Sequence, residues 1–333
     1  SEPGDLVTTN VQTERALDDV RPRRQASAPP ARVTRRPSRS MVWSRRAPLL
    51  PALIFTILLT QLPFLGTIVV SFMEWNSLLP DETGFAGISN YTQVLTDAEL
   101  RSTIFFTVRL TALVVVASMV LGLGIALLVN ERFLGRGVVR TLLVLPFLVV
   151  PVAGALFWKH AILNPSYGLI NGTITAIWSL FGSDSPPQPD ILSTAPTLGI
   201  ALTLIWRWTP FMVLILLAGL QSRNQEMMEA ASVDGAGAWA SFRYMTLPHL
   251  RRYPELGGLL GSIYLVQEFD AVFMLTAGGL GTTNLPYAVY KTFFLAYDYG
   301  LASALGVVVV IWTIIIAFFT LRVLLSLFRE TAR

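Results

Sequence analysis

The sequence predicts an all-α membrane protein with six transmembrane helices, and its composition and hydropathy are the reasons. Of its 333 residues, 53% are hydrophobic and only 14% are charged, and the mean hydropathy is +0.57. A soluble domain carries about 25% charged residues, so this balance favours a lipid environment. A helix needs roughly 20 mostly apolar residues to cross the hydrocarbon core of a bilayer. Six stretches meet that requirement: residues 48–72, 103–129, 138–158, 196–220, 256–275 and 301–328.

The arginines between the predicted spans alternate in a way that sets their orientation. Links that face the cytoplasm are expected to be rich in Lys and Arg. The N-terminal segment, residues 131–140, residues 221–255 and the C-terminus are rich in arginine, whereas residues 73–102 and 159–195 are not. We therefore predict that both termini and the link 221–255 are cytoplasmic. Residues 168–181, in an outer link, have apolar residues at helical spacing and are predicted to form a helix on the membrane surface.

Residues 1–46 differ in composition from the rest of the chain. Ten arginines lie in this segment, interleaved with Pro, Ser and Ala. Such a segment has too little apolar surface to bury, so it is predicted to be a disordered, Arg/Pro-rich cytoplasmic tail, followed by a transmembrane domain at 47–333. The tail is either a topology signal, a contact for anionic lipid, or simply a solvated terminus.

Several kinds of chemistry are excluded by residue types that the sequence lacks. It has no cysteine, so it has no disulfide, thiol nucleophile or thiolate metal site, and its two histidines cannot build a histidine-rich metal site. The only lysines, Lys159 and Lys291, do not follow glycine, so there is no phosphate-binding P-loop. The scattered Glu268, Asp270 and His160 do not form a catalytic set. We expect no catalytic residue, metal or cofactor in this chain.

The link 222–248 is a polar, small-residue stretch between two apolar runs. Ser222 and Gln225 have the spacing of a capping box for a helix that begins near Arg223. Gly235 permits a positive φ, so the chain can turn there. A second helical piece is predicted at 238–245, and Pro248 is expected to mark the exit into the next span. The sequence therefore predicts a helix–turn–helix on the cytoplasmic face, or an ordinary amphipathic loop.

The fixed spacing in this link resembles the EAA loop of permease subunits of ATP-binding-cassette importers. The matching residues are Glu229, Ala230, Ala231, Gly235, Met245, Leu247 and Pro248. The family usually has Ile at the position of Met245, a difference that conserves volume. The stretches SFMEWN, GISNYTQVL and FDAVFMLTAGGLGTTNLPYAVYKTFF resemble the carbohydrate-importer branch, and the resemblance covers residues 48–328. YPELGGLLGSIYLVQEFDAVFMLTAGG is similar to permeases for polyols such as sorbitol and mannitol.

The resemblance implies a type I importer permease fold in the bacterial cytoplasmic (inner) membrane. It implies a second homologous permease subunit, an ATPase dimer that binds ATP and Mg²⁺, and an extracytoplasmic binding protein that delivers a sugar or polyol; no nucleic acid is expected. The EAA loop, residues 222–248, would form the coupling helix that docks on the ATPase. The coupling residues that the resemblance implies are Glu229, Ala230, Ala231, Asp234, Gly235, Leu247 and Pro248.

The fourth and fifth predicted spans carry polar and aromatic residues, where ionisable groups are costly and therefore indicate function. The resemblance implies that the solute site lies on these two spans, which flank the coupling loop. Their residue types fit such a site, because aromatic rings stack on polyhydroxylated solutes and carboxylates bond their hydroxyls. Tyr264 and Glu268 are four apart and would share a helix face. Arg207 could instead form an internal ion pair with Glu268 or Asp270, and both alternatives stay open. The candidates for the substrate pathway are Trp206, Arg207, Trp208, Phe211, Tyr264, Gln267, Glu268 and Asp270.

Two other classes of membrane protein compete with the importer permease. A secondary transporter driven by an ion gradient usually has internal inverted repeats and more spans, and no convincing repeat is present. A membrane-embedded enzyme would need a clustered catalytic set. Within the permease class, the solute could be a polyol, a mono- or disaccharide, or a glycerophosphodiester.

Overall fold

The computed structural model describes residues 50–182 and 186–330, with side chains described as far as Val323. The predicted tail at 1–46 lies outside the described residues. Contacts divide the chain into two units, residues 1–58 and 59–333; the boundary falls within the first helix, and all later elements belong to the second unit.

The first half of the chain contains two long helices and a small hairpin between them. Helix α1 spans Leu50–Val70. Strands β1 (Met73–Glu74) and β2 (Gly84–Phe85) pair antiparallel, with Met73 opposite Phe85. A short helix α2 (Ser89–Thr96) leads into α3 (Ala98–Asn130), whose first turn is capped by Asp97, which accepts from the Glu99 and Leu100 amides.

The third predicted span is broken. Helix α4 (Arg136–Leu148) and helix α5 (Pro151–Phe157), which continues as a π-helical turn to Ile162, meet at an angle of 101°. Val149 and Val150 are extended, as the residue before proline prefers, and Pro151 starts the new helix. A helix, α6 (Leu169–Leu180), is present where the sequence predicts one, and its position on the membrane surface stays a prediction.

A short helix α7 (Ile191–Thr194) precedes α8 (Pro196–Gln221), the fourth span. The link after it contains α9 (Gln225–Val233), α10 (Ala238–Ser241), a π-helical turn (Phe242–Thr246) and α11 (Leu247–Leu250). These helices place the link at the end of α8 and the start of the fifth span.

The fifth predicted span is also broken, at residues without proline or glycine. Helix α12 (Arg252–Val266) and helix α13 (Asp270–Thr276) differ in direction by 51°. The chain ends with α14 (Leu285–Tyr290), a π-helical turn (Lys291–Leu295) and α15 (Tyr299–Glu330). Within the described residues there are four long apolar helices, or six spans if each bent pair is one span, as the sequence predicts.

The core lies where α3 packs against α8. Gly122 of α3 is buried there, and a Cβ added to it would lie 2.7 Å from the Met212 Cβ and 3.3 Å from the Val213 amide nitrogen of α8. Such distances are below van der Waals contact, so glycine allows the two backbones to approach closely. This close packing against α3 fixes the position of α8, and therefore of residues 206–211.

Candidate functional site

The link after α8 forms the helix–turn–helix that the sequence predicts, with a different cap. Helix α9 begins at Gln225, and the Asn224 side chain accepts from the Glu226 amide at 2.9 Å. The prediction that Ser222 caps this helix is wrong, because Asn224 lies nearer to its first free N–H groups. Ser222 bonds residues of the fifth span instead.

The turn after α9 depends on glycine. Gly235 has φ of +85°, in the left-handed region that L side chains avoid. The Ala236 amide donates to the Ala231 carbonyl at 2.9 Å, the bond that closes a Schellman motif. Asp234 is the exposed last residue before this turn. The chain therefore reverses at Gly235, as predicted.

The second helical piece is longer than predicted. It runs through α10, the π-helical turn and α11 as far as Leu250, so Pro248 lies within the first turn of α11 and does not mark the exit. Proline is tolerated there because the π-helical turn just before it, in which the Leu247 amide donates to the Phe242 carbonyl, already interrupts the regular α-helical hydrogen bonds. Leu247 is half-buried beside it.

Much of the surface of this helix–turn–helix is exposed, and part of that surface is apolar. Glu229 is exposed, and its Oε1 accepts from the Gln225 Nε2 at 2.9 Å; Ala230 is exposed and Ala231 is half-buried. Four large side chains that sequence reasoning missed are also exposed: Met227, Val233, Trp239 (73%) and Tyr244. Apolar residues in a polar, charged link are the signal that could have found them.

Hydrogen bonds join the two ends of the link to each other. The Ser222 Oγ lies 3.0 Å from the His249 Nε2 and 2.7 Å from the Tyr253 hydroxyl. The Arg223 guanidinium donates to the Thr246 Oγ1 at 2.7 Å. The helix–turn–helix is therefore tied at its base to both α8 and α12, the fourth and fifth spans.

The candidate residues in these two spans separate into different surroundings. Trp208 contacts Tyr264 across the two spans, with ring centroids 5.8 Å apart, and Phe211 at 5.6 Å. Phe147 of α4, which sequence reasoning missed, lies 5.9 Å from Trp208 and 5.5 Å from Phe211. We call Phe147, Trp208, Phe211 and Tyr264 the aromatic cluster.

One side of the aromatic cluster is accessible. Tyr264 is 61% exposed, whereas Trp208 is 6% exposed. The Trp208 Nε1 is buried and has no hydrogen-bond partner among the described residues. An indole N–H is a donor only, and a buried donor without an acceptor is costly; the described residues supply no acceptor to this group.

Arg207 and Glu268 form an internal ion pair. The guanidinium lies 3.4 Å from the Glu268 Oε2, and the two side chains are 19% and 8% exposed. The other carboxylate oxygen accepts from the Ala271 amide at 3.1 Å, in the first turn of α13. The buried Asn284 side chain donates to the Glu268 carbonyl. Hydrogen bonds of both the side chain and the backbone of Glu268 thus stabilise the bend between α12 and α13.

The structure does not place Tyr264 and Glu268 on one helix face, because α12 ends at Val266. Gln267 is exposed and donates to the Ile263 carbonyl, and Asp270 is half-buried at the start of α13. Trp206 lies apart from the aromatic cluster, against Phe157 and Trp158 at 6.1 and 6.0 Å. Within the described residues, no group of three or more His, Asp or Glu is arranged to hold a metal ion.

Residues 118–329 match the family described as "binding-protein-dependent transport system inner membrane component". The chain belongs to this family. It is therefore a membrane-embedded permease subunit of an ATP-binding-cassette importer, a transport component and not an enzyme.

Curated relatives cover most of the chain. A trehalose/maltose transport system permease protein, MalF of Thermococcus litoralis, is 34% identical over 261 residues, 78% of this chain and 86% of the relative. The trehalose transport system permease protein SugA of Mycobacterium tuberculosis is 30% identical, covering 82% and 85%. The sulfoquinovosyl glycerol transport system permease protein SmoG of Agrobacterium fabrum is 34% identical, covering 78% and 83%.

The fold matches that of a solved importer. A chain in the crystal structure of a bacterial ABC transporter involved in the import of alginate matches with a TM-score of 0.73 at 20% identity, covering 86% of this chain and 96% of that one. This match confirms the predicted type I importer permease fold.

Proposed function

We propose that this subunit passes a polyhydroxylated solute, a sugar or a polyol, across the bacterial cytoplasmic membrane, and that Trp208 and Tyr264 contact it. The observation that carries the proposal is the exposed Tyr264 ring beside the buried, unpartnered Trp208 Nε1. An aromatic face packs on the C–H face of a sugar, and the indole N–H would donate to one of its hydroxyls. The names of the relatives, permeases for trehalose, maltose and sulfoquinovosyl glycerol, support a sugar or glycoside.

The charges beside the cluster are already paired with each other. Arg207 and Glu268 neutralise each other, and the other oxygen of the Glu268 carboxylate accepts from the α13 backbone. A solute that bound through either of these two charges would have to break this pair, and breaking a buried pair is strongly unfavourable. In this proposal Arg207 and Glu268 keep the two half-helices in place, and the aromatic cluster touches the solute. Gln267 and Asp270, which are accessible beside the break, remain candidates for hydroxyl contacts.

The narrower proposal is a polyol such as sorbitol or mannitol. It rests on the resemblance of residues 253–279 and 282–294 to polyol permeases. A disaccharide is the alternative that the relatives' names favour. Sorbitol and mannitol are single open chains, whereas a disaccharide is a pair of linked sugar rings, so competition during uptake separates the two classes.

The coupling role is proposed for the helix–turn–helix of residues 222–248. Its exposed apolar side chains and Glu229 would dock in a groove of a partner ATPase, which would bind ATP and Mg²⁺. Alanines at 230 and 231 would permit close approach, and Gly235 would set the bend. This arrangement requires a second permease subunit, an extracytoplasmic binding protein, and both termini on the cytoplasmic side.

Uptake by whole cells that express the complete importer tests the solute and its contacts together. Labelled sorbitol, mannitol, trehalose and maltose are offered, each with the others as competitors. Tyr264→Ala is expected to raise the KM of uptake about tenfold, through loss of one aromatic contact, with normal levels in the membrane. Tyr167→Ala, which removes an exposed ring outside the cluster, is the matched control. Equal KM values for the two variants would show that the aromatic cluster does not contact the solute.

A further inference from the structure

Three helix ends meet on one side of the membrane, and two arginines lie between them. Helix α3 ends at Asn130, α4 begins at Arg136, and α8 ends at Gln221. The Arg136 Nε and an Arg140 terminal nitrogen both donate to the Val129 carbonyl, at 3.0 and 3.2 Å. The Gln221 amide oxygen, once the amide is oriented to satisfy both of its atoms, accepts from Arg140 at 2.8 Å.

The positive charge at this point is not neutralised by the described part of the chain. The acceptors of both guanidinium groups are neutral oxygens, and none of the ion pairs formed by the described residues includes Arg136 or Arg140. The Arg140 Nε is buried and lacks a hydrogen-bond partner among the described residues. The bonds from Arg136 and Arg140 to the Val129 carbonyl are explained as a cap of the α3 C-terminus. Capping does not explain why two neighbouring cations have no anionic partner among the described residues.

An apolar groove leads from Arg140 toward the middle of the membrane. Its volume is about 250 Å³, and it runs between α4 and α8 from Arg140 and Gln221 past Leu217 and Leu214 to Pro210. From Gln221 to Pro210 the axis of α8 rises about 16 Å, which is roughly half of the ~30 Å hydrocarbon core. The groove therefore has the length of one lipid leaflet, with its basic end at the membrane edge.

We propose that this groove binds an anionic phospholipid, with its phosphate against Arg136 and Arg140 and one acyl chain along α8. Charge complementarity favours this occupant, because a zwitterionic lipid would leave the two cations only partly compensated. A phosphate oxygen would accept from guanidinium N–H groups that the bonds to Val129 and Gln221 leave free, since guanidinium groups bind phosphate through such charge-assisted bonds. By the distribution of arginines this is the cytoplasmic leaflet, where anionic lipids and basic pockets between helices meet.

Native mass spectrometry of the purified chain tests the site. The chain is exchanged into nanodiscs of equal parts phosphatidylglycerol and phosphatidylcholine with matched acyl chains, and the lipids that remain bound after release are counted. The wild type is expected to retain phosphatidylglycerol selectively. Arg136→Gln together with Arg140→Gln is expected to lower that retention roughly tenfold or more, since each basic side chain at a membrane surface contributes appreciably. Arg132→Gln, an exposed arginine of the same link, is expected to change nothing.

A second variant tests the acyl-chain part of the groove without touching the charges. Ala218 is exposed and lines the groove, so Ala218→Phe fills it without entering the core. It is expected to lower phosphatidylglycerol retention while the chain stays monodisperse. Retention that is unchanged in both variants, or equal for the two lipids, would overturn the proposal.

Two further outcomes would replace the lipid with another occupant. Inorganic phosphate that binds the wild type in phosphatidylcholine discs and displaces the anionic lipid, with Ala218→Phe having no effect, would leave only a free anion site. A cysteine at Ala218 that crosslinks to a second permease in the assembled importer would assign the groove to that subunit. Either result would overturn the lipid proposal.

Discussion

Replacing Arg207 with methionine decides between the two roles that the sequence leaves open for the charges in the fourth and fifth spans. The variant keeps an unbranched apolar stem of similar width but removes the guanidinium, which leaves Glu268, 8% exposed, without its cation at 3.4 Å. Removal of one partner of a buried pair costs about 3–5 kcal/mol, because the other charge stays buried. For a chain of this size that corresponds to a fall of roughly 5 °C in melting temperature. The measurement is thermal unfolding of the detergent-solubilised chain.

Two companion variants make the Arg207 result interpretable. Glu268→Gln is expected to cost less, because the amide oxygen still accepts from the Ala271 amide and the charge left without a partner, on Arg207, is more exposed than that of Glu268, 19% against 8%. Lys291→Met breaks an ion pair whose side chains are 52% and 68% exposed, and is expected to cost at most about 1 kcal/mol. If Arg207→Met melts like the wild type but raises the KM of uptake, the pair serves the solute and the structural argument is refuted.

Two more predictions concern coupling and packing. Glu229→Lys is expected to abolish uptake while the importer's ATPase activity continues, because it reverses the charge on the proposed docking surface. Glu226→Lys on the same helix is the control. Unchanged uptake in Glu229→Lys would remove the coupling role of Glu229. Gly122→Val is expected to destabilise the chain by about 1–3 kcal/mol, because its Cβ would lie 2.7 Å from Met212, whereas Gly124→Val meets nothing within 4 Å and should melt like the wild type. Equal melting temperatures for the two glycine variants would mean that α3 and α8 are not held at this point.

The positions of the spans could be predicted from hydropathy because the thickness of the bilayer fixes the length of a helix. The break after α4 has a visible cause in Pro151, whereas the break after α12 does not. That second break depends on distant partners, since Glu268 is bonded by Arg207 and by Asn284. No window of local sequence contains those contacts, so the fifth span reads as one continuous helix.

Of two differences at the site, one has a local explanation and the other depends on a distant residue. Trp206 and Trp208 are two residues apart on a helix, so they point about 200° away from each other and could not both face the aromatic cluster. The helical period alone was enough to separate them. The choice between Ser222 and Asn224 as the cap was different, because both are good capping residues. Tyr253 decides it by engaging the Ser222 hydroxyl at 2.7 Å.

Whether a charge has a partner in the same chain separates structural sites from binding sites in this permease. Arg207 is paired with the Glu268 carboxylate, so its charge is already neutralised and contributes little to the binding of a solute. Arg136 and Arg140 have only neutral acceptors there, so their charge remains available to a ligand. The two sites are expected to respond differently to ionic strength, because salt screens exposed charges strongly and screens buried ion pairs much less. Retention of an anionic lipid at Arg136 and Arg140 should therefore fall as ionic strength rises, whereas the melting temperature that depends on Arg207 should stay nearly constant. The reverse pattern would mean that the roles of the two sites have been exchanged.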